Sequence, residues 1–402
     1  MSESTTSPVA LANRADARPA GGLHFPLPPP SEAAEALRQE VRDFLASALA
    51  GRTAAERAQS WSRFEPEFSR QVGARGWIGM TWPRRYGGAE RSALERYVVL
   101  EEMLAAGAPV SAHWIAERQS GPLLLKFGTE QQRQHILPRI ARGECSFCIG
   151  LSEADSGSDI SSIRARARRV EGGFSVTGTK IWTSKAHCVD YMILFCRTEA
   201  PGEDRHAGFS QFLVDLAQAK VGIRPIRAMN GEHHFNEVVF DDTFVPEDAL
   251  VGSLGQGWRQ VGSELAFERS GPERFLSSFT LLVELVRVLR ELPPSERGAI
   301  AVGRLVAHII TLRRLSRSVA GLLQSGEDMA MQAALVKDLG TVLEQEIPEI
   351  ARLLVESGEA SEAMDGFRVA LDHTMLYAPS FSLRGGTTEM LRNMIARAVG
   401  LR

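Results

Sequence analysis

The sequence has few cysteines, no long apolar run and almost no net charge. Its 402 residues include only four cysteines, Cys145, Cys148, Cys188 and Cys196. Cysteines this sparse do not form a disulfide scaffold and favour a reducing cytoplasm as the location. No apolar run approaches the roughly 20 residues that span a bilayer, and residues 1–22 lack the pattern of a secretory signal. The formal net charge of -3 provides no basic field that would attract nucleic acid or an anionic membrane.

The sequence divides into a tail and three regions with different patterns. Residues 1–30 are rich in Ala, Ser, Gly and Pro, which predicts a flexible tail. Residues 31–144 carry apolar side chains at helical spacing, beginning after the capping residue type Ser31. Between 145 and 250, short apolar or alternating runs separated by Gly, Asp and Asn predict strands of a barrel or sandwich. Residues 251–402 return to the helical pattern, so the order α, β, α predicts an α+β protein.

Three element boundaries follow from the same patterns. We expect the β region to end near Phe240 and the segment FDDTFVPEDALVG that begins there to form a loop. A long helix is expected from Trp258 to Leu292, with a kink at Pro272 because proline cannot donate a helical hydrogen bond.

Two polar motifs lie in the predicted β region. LSEADSGSD at Leu151–Asp159 is dense in Ser, Gly and Asp, and such a turn exposes N–H groups that can hold a phosphate or a polar ring edge. The alternative is a polar turn without a ligand. KIWTSKAH at Lys180–His187 combines an indole with two hydroxyls, which suits a flat aromatic cofactor. A tryptophan packed in the barrel core is the alternative there.

Two further motifs lie in the C-terminal helical region. Glu264 and Glu268 are one turn apart in a largely apolar helix. A buried glutamate in such a helix has a raised pKa and can act as a base, whereas a solvated or ion-paired glutamate is the alternative. In RGGTTEMLR at Arg384–Arg392, two glycines let the backbone approach a ligand and Thr387 can cap the last helix. An ordinary loop and cap is the alternative.

No metal site is predicted. Cys145 and Cys148 lie on an apparent strand, where their spacing does not suit zinc, and no second CxxC follows. The segment Glu232–His234 lacks a matched ligand set and is expected to be a loop.

Together these motifs resemble the acyl-CoA dehydrogenase family over about residues 31–402. LSEADSGSD resembles the flavin and substrate turn [LV]-[ST]-E-x-x-x-G-S-D, and GTKIWTSKA resembles the strand G-x-K-x-W-x-[ST]. FDDTFVPEDALVG resembles the segment F-x-x-x-x-V-P-x-x-x-x-G. The resemblance implies an N-terminal helical domain (31–144), a middle β-barrel (145–250) and a C-terminal four-helix bundle (251–402). It also implies FAD between barrel and bundle, and a dimer or tetramer in which the cofactor contacts two subunits.

The resemblance further implies roles for individual residues. In the β region, the resemblance implies that five residues lie against the flavin: Ser152, Ser158, Trp182, Thr183 and Ser184. Ser158 would also touch the thioester substrate, and Ser184 would lie near the N5 edge of the flavin. In the helical region, Arg269 would lie near the CoA part of the substrate, with Thr387 and Glu389 near the cofactor.

The sequence departs from the family pattern at the catalytic base. Many members carry the glutamate just before a Gly-Thr pair, where this chain has Gly385. A second group carries the base directly before the helix arginine, and this position is Glu268. We therefore predict that Glu268 removes the α-proton, with Gly385 leaving room for it. The family's R-x-x-F and GG-x-G segments, the second of which helps to hold FAD across the dimer, are missing.

The predicted function is FAD-dependent dehydrogenation of an acyl-CoA thioester to the trans-2-enoyl-CoA, with flavin N5 as hydride acceptor and an electron-transfer flavoprotein as electron acceptor. The GGTTE and ERQSG segments resemble bacterial dehydrogenases of steroid side chains and related bulky acyl-CoAs, some of which have two different subunits. A homo-oligomer and a hetero-oligomer therefore both stay open. The alternatives are a non-catalytic partner subunit, a flavin oxidase or monooxygenase on the same fold, and a binding module.

Overall fold

The structure is a computed structural model that describes residues 24–29, 31–200, 202–327, 329–355 and 362–401. For residues 264–268 and 362–363 only the backbone is described. Residues 1–23 and residue 30, which make up most of the predicted tail, lie outside the described residues.

The first described region is helical, as the apolar spacing predicts. Its α-helices are α1 Glu32–Ala48, α2 Ala54–Ala58, α3 Pro66–Ala74, α4 Ala93–Ala105, α5 Ser111–Ile115, α6 Gly121–Phe127 and α7 Glu130–Ala141. A π-helical turn, Ala116–Ser120, joins α5 to α6. Ser31 caps α1 by accepting a hydrogen bond from the backbone N–H of Ala34, and Thr129 forms a capping box with Gln132 at the start of α7.

The second region is one curled sheet. Its strands are β1 Phe147–Gly150, β2 Arg166–Val170, β3 Gly173–Ser184, β4 Tyr191–Arg197, β5 Phe209–Asp215, β6 Gly222–Arg227 and β7 His233–Pro246. Hydrogen bonding follows the order β1-β4-β2-β3-β7-β6, with β5 pairing β4 away from this path. The expected barrel is therefore a half-barrel whose sheet curls without closing.

The sheet extends further along the chain than expected. β7 pairs with β3 as far as the Gly173–Pro246 register, so the prediction that the β region ends near Phe240 and continues as a loop is wrong. The adjacent residues Asp241 and Asp242 interrupt the apolar pattern, so the sequence does not predict this part of the strand. Asp242 adopts φ +46° beside a register shift, and its carboxylate accepts hydrogen bonds from the hydroxyls of Ser175 (3.1 Å) and Thr177 (2.9 Å). A bulge of this kind lets polar residues continue a ladder.

The third region contains α8 Gly257–Glu268, α9 Phe279–Glu291, α10 Glu296–Ser325, α11 Ala330–Leu354, α12 Glu362–Tyr377 and α13 Thr388–Ala398. The helix expected from Trp258 to Leu292 is broken rather than kinked, because α8 ends at Glu268 and a 3-10 turn begins at Pro272. The lost N–H of proline explains an interruption at this place.

The helices before and after the sheet share one hydrophobic core. It joins Val41 and Leu100 of the first region to Leu281, Ile347 and Phe367 of the third, whereas the sheet encloses a core of its own. Among the described residues, no helix combines the length and apolar character that crossing a membrane requires. The helix α8 packs against α6, the π-helical turn and β5, so elements of all three regions meet there.

Candidate active site

The turn at Leu151–Asp159 is fixed by a buried ion pair. Lys180 is fully buried, and its Nζ lies 2.8 Å from a Glu153 carboxylate oxygen and 3.0 Å from the Leu151 carbonyl oxygen. The same carboxylate accepts hydrogen bonds from the backbone N–H groups of Arg164 (2.7 Å) and Ala165 (2.9 Å). Burial lowers the pKa of the Lys180 amino group, and the charge of Glu153 opposes this shift. These buried contacts therefore hold the turn in place, and it is not a loose polar loop.

A bulge in β3 turns the indole of Trp182 outwards. The pairing of β3 with β7 shifts between Lys180 and Thr183, and Trp182 adopts φ +58°, a left-handed conformation that is rare for a bulky residue. Its side chain is 56% exposed and makes an edge contact with Phe235, with ring centres 5.8 Å apart. A tryptophan in the barrel core is thereby excluded. The strained backbone instead presents a flat apolar face at the surface of the sheet.

The bulge also buries the hydroxyl of the next residue. Thr183 is 1% exposed, and its Oγ1 is buried without a hydrogen-bond partner in the described part of the chain. Its carbonyl oxygen accepts a hydrogen bond from Nδ2 of the fully buried Asn236 (3.0 Å). Oδ1 of Asn236 lies 3.1 Å from Nδ1 of His187 and 2.7 Å from Nε2 of His233. These two imidazoles stack at 3.8 Å, so a polar cluster under the strand end fixes Thr183.

The three serines expected on the sheet side differ in exposure and in their contacts with β3. The carbonyl oxygen of Ser152 accepts a hydrogen bond from the N–H of Ile181 (2.9 Å), which ties the turn directly to β3. Ser152 and Ser184 are half-buried, while Ser158 is exposed. The start of the Leu151–Asp159 turn therefore lies against β3 directly before Trp182.

A second group forms where α8 meets the loop before α13. Glu268 is the last residue of α8, and its side chain lies outside the described residues. Arg269 follows as the C-cap, and its Nε donates a hydrogen bond to the carbonyl oxygen of Gly385 (3.0 Å). Gly385 has φ +67° and Gly386 has φ +104°, conformations that favour glycine. Arg269, which directly follows Glu268, therefore contacts the backbone of Gly385.

The residues after these glycines begin the last helix. Thr387 caps α13, and its hydroxyl accepts a hydrogen bond from the N–H of Met390 (3.4 Å), as the sequence predicts. Glu389 is exposed in the first turn, and hydrogen bonds to its carboxylate hold its pKa below the usual range.

Side chains between the sheet and the bundle connect the two groups. His234 of β7 presents its ring edge to Tyr377 of α12, with ring centres 6.5 Å apart, and Tyr377 contacts Phe381 at 5.8 Å. The guanidinium of Arg384 lies 4.5 Å from the ring centre of Phe381. Burial lowers the pKa of His234 to about 3, so its imidazole is neutral at pH 7. The segment Glu232–His234 was expected to be a loop, but both of its histidines belong to β7.

Sequence reasoning missed several buried charged residues near this site. Lys180 was assigned no role, although a lysine within an alternating strand, at an inward-facing position, is a visible signal. Arg118 and Glu273 form an ion pair with side chains 3% and 0% exposed. In the sequence Arg384 marks only the start of a glycine loop, yet it pairs with the buried Glu344. Such partners are far apart in sequence, so only the fold reveals them.

Comparisons with known proteins identify the class. Residues 31–144 match the acyl-CoA dehydrogenase N-terminal domain, and residues 148–243 match the acyl-CoA dehydrogenase middle domain. The chain is 33% identical over 383 residues to acyl-CoA dehydrogenase IpdE1 of Mycobacterium tuberculosis, which covers 91% of this chain and 97% of IpdE1. The solved ChsE4-ChsE5 complex from Mycobacterium tuberculosis matches with a TM-score of 0.80 and 28% identity, covering 93% of this chain and 99% of that one.

One relative is longer than this chain. Acyl-CoA dehydrogenase FadE34 of Mycobacterium tuberculosis is 31% identical over 339 residues, which are 84% of this chain and 46% of FadE34. The chain thus spans about half the length of that relative and nearly all of IpdE1.

The chain belongs to the acyl-CoA dehydrogenase family. It is an oxidoreductase that acts on acyl-CoA, and its family consists of flavoproteins.

Proposed function

We propose that this protein dehydrogenates an acyl-CoA thioester to the trans-2-enoyl-CoA, using FAD and with Glu268 as the α-proton base. The observation that carries the proposal is the hydrogen bond from Arg269 to the Gly385 carbonyl oxygen. It joins the end of α8 to the loop in which other family members carry their base. A carboxylate from either element would act in the same space, and this chain keeps a glutamate only on α8.

The residues on the sheet side fit a flavin. Trp182 offers an exposed indole face, and Thr183 has a buried hydroxyl without a partner among the described residues. A buried hydroxyl left unpaired costs about 1–3 kcal/mol, so a polar ring edge bound there would stabilise it. Ser152, Ser158 and Ser184 would supply further hydrogen bonds, and Thr387 and Glu389 would meet the cofactor from α13. When bound, FAD supplies the acceptor for the β-hydride at flavin N5.

The protein's own part in the reaction is to place and activate a weak base. The α-proton of a thioester is a very weak acid, so Glu268 must be ionised, held against the α-carbon and shielded from water. Arg269 fixes the end of α8 through Gly385, and the missing side chain at Gly385 leaves space for the carboxylate. Arg269 would also contact the CoA part of the substrate, which places the acyl chain across the loop.

A non-catalytic subunit of a heteromeric dehydrogenase is the second candidate. Gly385 at the usual base position favours it, as does the similarity to the ChsE4-ChsE5 complex, which consists of two different chains. The sequence segments that resemble dehydrogenases of bulky acyl-CoAs favour a bulky or branched acyl group for either candidate. Electrons would pass to an electron-transfer flavoprotein.

The test compares two glutamates one turn apart on α8. The chain is purified alone, its visible spectrum is recorded, and flavin reduction by a series of acyl-CoAs is followed without oxygen. Glu268→Gln should slow reduction by at least about 100-fold, since general-base catalysis contributes 10²–10⁴-fold. Glu264→Gln, the matched control, should stay within a few-fold of the unmodified chain. Flavin reduction that Glu268→Gln leaves unchanged would refute Glu268 as base, and colourless protein that takes up no FAD would favour the partner-subunit candidate.

A further inference from the structure

The loop before α13 contains two consecutive glycines that must hold a defined shape. Gly385 and Gly386 both have positive φ, and a pair of glycines loses more conformational freedom on ordering than any other pair. The Gly385 carbonyl oxygen nevertheless accepts the Nε–H of Arg269 at 3.0 Å. Something outside the glycines must therefore hold this loop against the end of α8.

Arg384, the residue before the glycines, provides a buried anchor. Its Nη2 donates hydrogen bonds to Ser277 Oγ (3.0 Å) and to a Glu344 carboxylate oxygen (3.2 Å). The guanidinium carbon lies 4.9 Å from the ring centre of Trp61 and 4.5 Å from that of Phe381, within the range of cation–π attraction. The side chain is thus held between the turn that follows α2, the α8–α9 connection and α11.

The partner of Arg384 is itself fixed. Glu344 is fully buried in α11, its other carboxylate oxygen accepts the N–H of Ser277 (2.7 Å), and its carbonyl oxygen accepts the Ser278 hydroxyl (2.8 Å). Burial raises the pKa of Glu344 and lowers that of Arg384, so each charge needs the other to remain in this environment. Nη2 of Arg384 makes the hydrogen bonds to both Ser277 and Glu344, while its Nε and Nη1 are buried without a partner among the described residues.

A second ion pair, from α13 itself to α11, offers a comparison. Arg392 of α13 reaches Asp338 of α11 at 3.2 Å, the same distance as the Arg384–Glu344 pair. The Arg392 side chain is 61% exposed and that of Asp338 is 12% exposed, whereas Arg384 is 20% exposed and Glu344 is 1% exposed. We call Arg392–Asp338 the exposed pair because its guanidinium is in solvent, where an ion pair constrains the chain weakly. Of the two pairs, only the buried pair Arg384–Glu344 lies next to Gly385 and Gly386 in the chain.

We infer that Arg384, held by Glu344 and Ser277, is a positioning residue that sets the Gly385–Gly386 loop against Arg269 and so fixes the end of α8 for catalysis. The inference rests on the proposed function for its catalytic consequence. Its structural part, which is the order of the loop, stands on the contacts alone. Arg384 acts through the loop and touches no reacting atom in this scheme.

The experiment compares two matched double variants in the full-length flavin-loaded protein. Arg384→Met with Glu344→Gln removes the buried anchor without leaving an unpaired charge, and the Gln oxygen can still accept the Ser277 N–H. Arg392→Met with Asp338→Asn removes the exposed pair in the same way. The readouts are hydrogen exchange at residues 384–388, the rate of anaerobic flavin reduction and the KM for acyl-CoA. Arg384→Lys is a milder variant, for use if the first double variant does not fold.

The anchor variant should speed amide exchange in the loop by at least about tenfold. It should also slow flavin reduction roughly 10- to 100-fold with little change in KM, because a misplacement of about 1 Å costs up to 10²-fold. The exposed-pair variant should change neither readout by more than about twofold. Exchange that matches the unmodified chain, or an equal loss in the exposed-pair variant, would overturn the inference. If no variant and no unmodified protein reduces its flavin, the proposed function fails while hydrogen exchange still decides the role of Arg384.

Discussion

Replacing Lys180 by methionine should destabilise the protein and loosen the turn that follows β1. The change removes the cation 2.8 Å from Glu153 but keeps an apolar stem in a fully buried position. Breaking a buried ion pair from one side typically costs 3–5 kcal/mol. Glu153 would keep its hydrogen bonds from the N–H groups of Arg164 and Ala165. We therefore expect the free energy of unfolding to fall by about 3 kcal/mol, the lower end of this range.

The same turn contains a control. Asp155 and Arg164 pair at 3.3 Å with side chains 73% and 80% exposed, so Asp155→Asn should cost less than about 1 kcal/mol. Urea unfolding followed by circular dichroism measures both losses, and bound flavin absorbance reports the shape of the turn. We expect Lys180→Met also to weaken flavin binding, because the carbonyl oxygens of Leu151 and Ser152 are tied to β3. A loss no larger for Lys180→Met than for Asp155→Asn would refute the reasoning.

Three other outcomes can be checked. Burial lowers the pKa of His113 from 6.5 to about 4, so as the pH falls the unfolded chain binds a proton at this imidazole before the folded chain does. The free energy of unfolding should therefore fall by about 3 kcal/mol between pH 6.5 and pH 4, at about 1.4 kcal/mol per pH unit. His113→Gln should flatten that part of the urea-unfolding profile. Gly340→Ala would place a Cβ 2.0 Å from the Arg274 carbonyl oxygen and should lower the thermal midpoint, whereas Gly303→Ala in open space within α10 should raise it slightly. Trp182→Ala should leave the urea midpoint nearly unchanged because the indole is 56% exposed, yet it should reduce flavin retained on gel filtration.

The sequence by itself determined the order of helical and β regions and the local chemistry of several boundaries. Apolar spacing depends only on near neighbours, and so do the caps at Ser31 and Thr387. The motif around Trp182 could be selected as a cofactor strand for the same reason. These residues alone do not decide whether the indole lies in the core, because a bulge depends on the register of the partner strand.

Only the tertiary structure decided the contacts between distant segments. Alternation of residue types could not predict that β7 would continue through the acidic pair that includes Asp242, because hydroxyls on β3 stabilise it there. It could not pair Arg384 with Glu344, which lie 40 residues apart. Nor could the alternation predict that Arg269 contacts Gly385, which lies 116 residues further along the chain. Such pairs form because a shared core aligns their helices, and their energies depend on burial, a property that local sequence does not contain.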